Sequence, residues 1–184
     1  VLASNDGGKS FLPSNGGFSS RQVVAYIQDF EHAATIYVGV VNDKSWGGVF
    51  VSHNGGLTWN QISAGLNGDD VYSLGQASDG TIVAGTSHGI YRLQGQVWSR
   101  VENVSFSAPR EVPPPRGKAG PARRTAAVAA RRVHSDAFDG SVKGIARTGD
   151  TLYAATSDGL LKSVTAGSNW TLVPGPARQS WQFV

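Results

Sequence analysis

The chain has 184 residues, of which 40% are apolar and 24 are glycine, and a formal net charge of +3. It contains no cysteine, which excludes disulfides, thiolate nucleophiles, cysteine-bound zinc and iron–sulfur clusters together. No apolar run approaches the length of a membrane-spanning helix, and the length is ample for one buried core.

In chain order, Val1-Leu2-Ala3 reads as a strand running into the Gly-rich hairpin Ser4-Asn5-Asp6-Gly7-Gly8-Lys9-Ser10-Phe11. A start of this kind predicts a chain cut from something longer. Strands are then expected at Val23–Ile27, Thr35–Val40 and Gly48–Val51, followed by a second hairpin, Ser52-His53-Asn54-Gly55-Gly56-Leu57-Thr58-Trp59. The same order returns as Val71–Leu74, Thr81–Thr86 and Gly89–Leu93, with a shorter hairpin Gln94-Gly95-Gln96-Val97-Trp98. It returns once more as Val142–Ala146, Thr151–Thr156 and Gly159–Ser163, with the hairpin Ser163-Val164-Thr165-Ala166-Gly167-Ser168-Asn169-Trp170. Trp181–Val184 resembles the opening of a further strand. These segments are short, β-branched and aromatic, and are bounded by Gly, Asn, Asp and Ser, the residues that turns require.

One unit therefore reads strand, turn, strand, turn, strand, hairpin, strand. The hairpin glycines Gly8, Gly56, Gly95 and Gly167 are spaced by 48, 39 and 72 residues. Four short strands at a period of about 40–50 residues are the signature of a propeller blade. A β-sandwich accommodates the strand spacing but not the recurrence of all four elements. The expected fold is all-β, a partial β-propeller of about four four-stranded blades, the first incomplete. The expected layout is blades over 1–106, a basic insertion or linker over 107–141, and a further blade with the start of the next over 142–184.

The stretch from Ser107 to Val133 breaks the pattern. It holds five prolines, an alanine run, and seven basic residues against the single Glu111, so it carries a net +6 and leaves −3 for the rest of the chain. A Pro-rich charged segment buries too little apolar area to offset its ordering entropy, which reads as a solvated linker. The alternative is a basic arm making weak polyanion contacts, although it lacks the interleaved aromatic residues on which single-stranded nucleic acid stacks.

The hairpin pattern Ser-x-Asp-x-Gly-x-Thr-Trp resembles the Asp box, or BNR repeat, of sialidase-like propellers. Ser4, Asp6, Gly8 and Phe11 match it, as do Ser52, Asn54, Gly56 and Trp59 with Asn for Asp, and Ser163, Gly167 and Trp170 with Thr165 for Asp. Gly95 and Trp98 retain less of it. The chain looks closest to the WD40/YVTN/BNR-like group that includes the photosystem II stability and assembly factor type, and more distantly resembles sialidases, xyloglucanases and sortilin ectodomains. The resemblance implies that these hairpin residues are structural: the Asp or Asn side chain accepts backbone N–H bonds and the aromatic packs between sheets.

Because blade strands alternate in direction, the hairpins and the first turns share one face, and the second turns and inter-blade connections share the other. Loops on that second face are the expected carriers of function. The candidate binding residues are Arg21, Asp43, Lys44, Trp46, Asp69, Asp70 and His88. The four histidines lack ligand spacing, so no metal site and no cofactor are expected. The expected function is a non-catalytic module, part of a larger bacterial protein, that recognises a protein or carbohydrate partner in an extracellular or periplasmic setting. The alternative is a glycoside hydrolase completed by further blades, which requires two opposed carboxylates. Asp43 with Asp69 or Asp70 is the candidate pair.

Overall fold

The computed structural model describes residues 1–14, 16, 22–41, 47–106 and 137–174. Fifteen strands lie among them, arranged as separate small sheets. Blade I contributes two strands, β1 (Leu2–Ala3) and β2 (Leu12–Pro13). Blade II holds β3 (Gln22–Gln28), β4 (Ile36–Val41), β5 (Gly48–Ser52) and β6 (Asn60–Gln61) in consecutive antiparallel order. Blade III repeats this with β7 (Val71–Gln76), β8 (Ile82–Thr86), β9 (Gly89–Gln94) and β10 (Val97–Arg100). Blade IV comprises β12 (Val142–Thr148), β13 (Thr151–Thr156), β14 (Gly159–Ser163) and β15 (Asn169–Leu172). Its outer edge carries a fifth strand, β11 (Asn103–Ser105), parallel to β15. The fold is a β-propeller, of which the described residues supply a half blade and three fuller ones. Residues 107–136 and 175–184, which hold the basic insertion and the anticipated further strand, lie outside the described residues.

The core lies between the sheets. One cluster joins Val83 and Ile90 of blade III to Val142, Leu152 and Trp170 of blade IV. A second joins Val49 and Leu66 to Val71, Tyr91 and Trp98 across blades II and III. A third, with Val38, Phe50 and Trp59, covers the face of blade II turned towards β1. Phe138, in the lead-in to β12, is buried in the first cluster. At the inner strands the sheets approach closely through glycine. A Cβ on Gly39 would sit 2.8 Å from Val71, and one on Gly85 would sit 2.5 Å from Val142.

The tryptophan that ends each hairpin of blades II to IV lies against the segment leaving the preceding blade. The backbone N–H of Trp59 donates to Gly16 O (2.8 Å) and its indole Nε1 to Ser14 O (3.2 Å). The backbone N–H of Trp98 donates to Ala64 O (2.8 Å) and its Nε1 to Ile62 O (2.6 Å). In both cases the two acceptors are two residues apart. Trp170 is paired along the same line, opposite Val104 of β11, while its Nε1 turns to Gly167 O at 2.9 Å. These three rings are 4%, 2% and 1% exposed. Phe11 is 56% exposed, and no such segment runs beside it among the described residues.

Three of the hairpins, those of blades I, II and IV, share one hydrogen-bond pattern. The N–H groups of Gly8, Gly56 and Gly167 donate to Ser4, Ser52 and Ser163 Oγ at 2.8, 2.8 and 3.0 Å. Two positions after each serine, an oxygen of Asp6, Asn54 or Thr165 accepts from the N–H of Ser10, Thr58 or Asn169, each at 2.9 Å. The Ser10 hydroxyl and N–H, with the Ser4 hydroxyl, hold the Asp6 carboxyl down to about 2, against a smaller opposing effect of burial. Each of these turns has two consecutive left-handed positions, the second always glycine and the first Gly7, Gly55 or, unusually, Ala166 (φ 49°).

Two outcomes follow. Trp98→Ala should cost about 3–5 kcal/mol in a urea melt through the buried volume it removes, whereas Trp98→Phe should cost about 1–2 kcal/mol because it chiefly leaves the Ile62 carbonyl unpaired. Ala166→Gly should raise stability by about 0.5–1 kcal/mol, since a left-handed φ disfavours a Cβ; a lower melting midpoint would contradict this account of the turn.

Candidate recognition site

The face opposite the hairpins is organised by backbone bonds that repeat from blade to blade. Ser87 N–H donates to Asp70 O at 2.9 Å, and Ser157 N–H donates to Ser141 O at 3.0 Å. Each two-residue turn is closed by a threonine: Thr86 Oγ1 donates to Gly89 O and Thr156 Oγ1 to Gly159 O, at 3.0 and 2.7 Å. The turn residues that follow, His88 and Asp158, each donate N–H to that threonine at 3.1 Å. The scaffold therefore places His88 and Asp158 at equivalent points on successive blades.

Blade III adds a side-chain network to this frame. Leu66 is buried, and the chain turns through left-handed Asn67 (φ 55°) and Gly68 (φ 83°), with Asp69 N–H donating to Leu66 O at 3.0 Å. Two consecutive positive φ values suit Asn-Gly, as in a type I′ turn. The turn delivers the Asp69 carboxylate, 14% exposed, against three partners. Its Oδ1 lies 2.9 Å from His88 Nδ1 and accepts from Ser87 Oγ at 3.4 Å. Its Oδ2 accepts from the Tyr91 hydroxyl at 2.9 Å. Burial, with the hydrogen bond to Asp69 and that carboxylate's charge, pushes the Tyr91 phenol up to about 12.

This geometry fixes what the histidine offers. Ser87 Oγ also lies 3.0 Å from His88 Nδ1, so serine and carboxylate share one ring nitrogen. A nucleophile relay needs them on opposite nitrogens, and this arrangement does not supply one. In the neutral ring, donation of Nδ1–H to Asp69 leaves the other nitrogen with a lone pair. The side chain is 59% exposed, so Nε2 is offered to solvent as an oriented acceptor.

A second feature is a bulge that recurs in each inner strand. Pairing shifts between Val23 and Ala25, between Val71 and Ser73, and between Val142 and Gly144. The residues set out of register are Val24, Tyr72 and Lys143, and a bulge re-aims the side chain it displaces. Lys143 Nζ lies 3.2 Å from the centre of the Tyr72 ring, across the gap between blades III and IV. Burial first, and then the charge and hydrogen bond of Asp70, raise the Tyr72 phenol above its ordinary range. On the same face Arg100 donates to Phe138 O at 2.9 Å and pairs with Asp139 at 2.5 Å.

Of the candidates read from the sequence, Asp69, Asp70 and His88 are brought together here. Arg21, Asp43, Lys44 and Trp46 lie outside the described residues. Tyr91, Tyr72 and Lys143 were missed, since strand residues at β-spacing read as core. Among the described residues no group of three His, Cys, Asp or Glu side chains is placed to hold a metal ion.

No family model and no curated protein matches the chain. Solved structures do match in fold. An ancestral GH74 enzyme is 17% identical with a TM-score of 0.61, over 95% of this chain and 21% of its own. The GH74 xyloglucanase of Xanthomonas campestris is 17% identical with a TM-score of 0.50, over 80% and 21%. YCF48 of Cyanidioschyzon merolae is 13% identical with a TM-score of 0.47, over 86% and 37%. The chain thus spans about a fifth of the GH74 enzymes it resembles, and the likeness at this identity is one of fold.

The raised Tyr91 phenol gives a measurable pH dependence. Its folded pKa of about 12 exceeds the usual 10, so its contribution to stability is complete below pH 10 and declines as pH rises towards 12. Tyr91→Phe should flatten the alkaline limb of a pH–stability curve over that window. An unchanged limb would show that Tyr91 titrates as an ordinary phenol.

Proposed function

We propose that the chain is a BNR/Asp-box propeller module of a larger protein, and that the Asp69–His88 face recognises a protein or carbohydrate partner without chemical turnover. One observation carries this reading. The backbone bonds at this face recur in blade IV, but the network around Asp69 belongs to blade III and is not needed to close the turn. Both oxygens of Asp69 are engaged by Ser87, His88 and Tyr91, so this carboxylate orients a histidine rather than standing across a cleft from a second acid. Asp70, next in sequence, acts on Tyr72 instead. The surface that results offers an acceptor nitrogen, a phenol ring and the Lys143 cation, a mixture suited to recognition by hydrogen bonds and ring contacts.

An extracellular or periplasmic setting and weak polyanion contact through the basic insertion belong to the same proposal. They rest on the hairpin resemblance and on the charge of residues 107–133.

The test is binding to immobilised xyloglucan, other neutral polysaccharides and a secreted-protein fraction. Exposed His88→Ala should leave the melting temperature nearly unchanged and weaken capture at least about tenfold, or 1.4 kcal/mol. Release of reducing ends from any polysaccharide in the panel would overturn the non-catalytic reading, and equal capture by His88→Ala would remove this face from it.

A further inference from the structure

A polar cavity of 230 Å³, lined by none of Asp69, Ser87, His88 and Tyr91, lies between the outer strands of blade III and the last hairpin. Arg92 and Gln94 alternate onto one face of β9, and Ser99 of β10 stands opposite Arg92 in register. Asn103 and Ser168 close the far side. The stem of Arg92 runs beside Gly167, where an added Cβ would lie 3.8 Å from Arg92 Cδ.

Two arginines line this space, and the Nε of each is buried without a hydrogen-bond partner. Their circumstances differ. Arg100 is already committed through Nη2 to Phe138 O and Asp139. The Arg92 guanidinium makes no hydrogen bond among the described residues, and its charge acts on Asp79 only at a distance. A sealed, unpaired donor on a cation is costly to fold around, and an unsatisfied buried group in an otherwise well-bonded protein calls for an explanation. An oxyanion that drew the guanidinium towards it would relieve that cost on binding, and the planar fork of arginine is matched to a carboxylate.

The rest of the lining narrows the ligand. Gln94, Ser99, Asn103 and Ser168 are neutral donors and acceptors, suited to hydroxyl groups. Glu102 also lines the cavity. It repels a compact multivalent anion but accepts a hydrogen bond from a sugar hydroxyl. We propose that this cavity is a carboxylate site that takes a uronic acid residue, with Arg92 as the anion-binding group and the neutral side chains contacting the ring hydroxyls.

The experiment is an NMR titration of the whole chain with glucuronate, glucose and sulfate as probes. Glucuronate should saturably shift the amide resonances of Ser99 and Ser168. Glucose, which lacks the carboxylate, and sulfate, which lacks the hydroxyls and meets Glu102, should bind at least about tenfold more weakly. Arg92→Gln should remove the preference for glucuronate over glucose, with circular dichroism confirming the fold. Arg92→Lys, which keeps the charge without the fork, should retain part of it and serves if the glutamine variant fails to fold. His88→Ala should leave the titration unchanged, which separates this site from the Asp69 face. Equal shifts by glucuronate and glucose, shifts by sulfate as strong as those by glucuronate, or a preference that survives at full strength in both Arg92 variants would overturn the proposal.

Discussion

The structure depends on how one blade is fastened to the next. A four-stranded sheet buries neither face by itself and has an exposed outer edge, so the sheets must cover one another. At the outside, the segment leaving one blade runs along the last strand of its successor and meets a tryptophan there: Trp59 and Trp98 bond it through both the backbone N–H and the indole, and Trp170 lies opposite Val104 of β11. At the inside, Gly39 and Gly85 let Val71 and Val142 of the following blade approach to within a Cβ's width. A large ring at one end and a missing side chain at the other set the wedge between sheets, and apolar clusters fill it. The tryptophan thus joins the edge of its own sheet to the chain that made the sheet before it.

This explains which parts of the fold were legible. The hairpins were, because Gly7-Gly8 and Gly55-Gly56 state a backbone conformation that few other residues adopt. The strands were, because their composition is repeated several times at one period. Three features were not. The parallel pairing of β11 with β15 joins residues on either side of the long insertion, and neither partner carries a local signal of it. The bulges at Val24, Tyr72 and Lys143 leave the alternation of the strands nearly intact, so the side chains they turn out of the sheet look like ordinary strand residues. The exposure of Phe11 depends on what lies next to it, which no residue within the hairpin records.

The candidate site divides along the same line. Asp69, Asp70 and His88 were found as polar residues of loops on the face away from the hairpins, an inference from strand direction alone. Their mutual geometry does not follow from strand direction. It is set by the left-handed pair Asn67-Gly68, which turns Asp69 back towards β9, and by the threonine that closes the turn beneath His88. Tyr91 could not have been picked out, since a tyrosine in a buried strand is ordinarily a core residue whose hydroxyl finds a partner. Here the partner is the carboxylate that also orients the histidine, so core packing and surface chemistry are coupled through one aspartate.

The hairpin tolerates different residues at its second polar position. Asp6, Asn54 and Thr165 differ in charge and length, yet each places an oxygen where the same N–H group requires one. What the turn selects is an acceptor atom, not a charge. The carboxylate of Asp6 accepts four hydrogen bonds of 2.6–3.0 Å and is held ionised to about pH 2, chiefly by those from Ser10 and Ser4, but the neutral versions close the same loop. Serine at the first position varies less, because its hydroxyl both accepts from a glycine N–H and lies beside the second side chain: Ser4 and Ser52 donate to Asp6 and Asn54, and Ser163 lies 3.4 Å from the Thr165 hydroxyl. A residue that must satisfy two partners at once is constrained by both. The hairpin can therefore drift at its acidic position while the serine, the glycine and the aromatic keep the blade in place, and the opposite face can acquire its own polar residues without disturbing that frame.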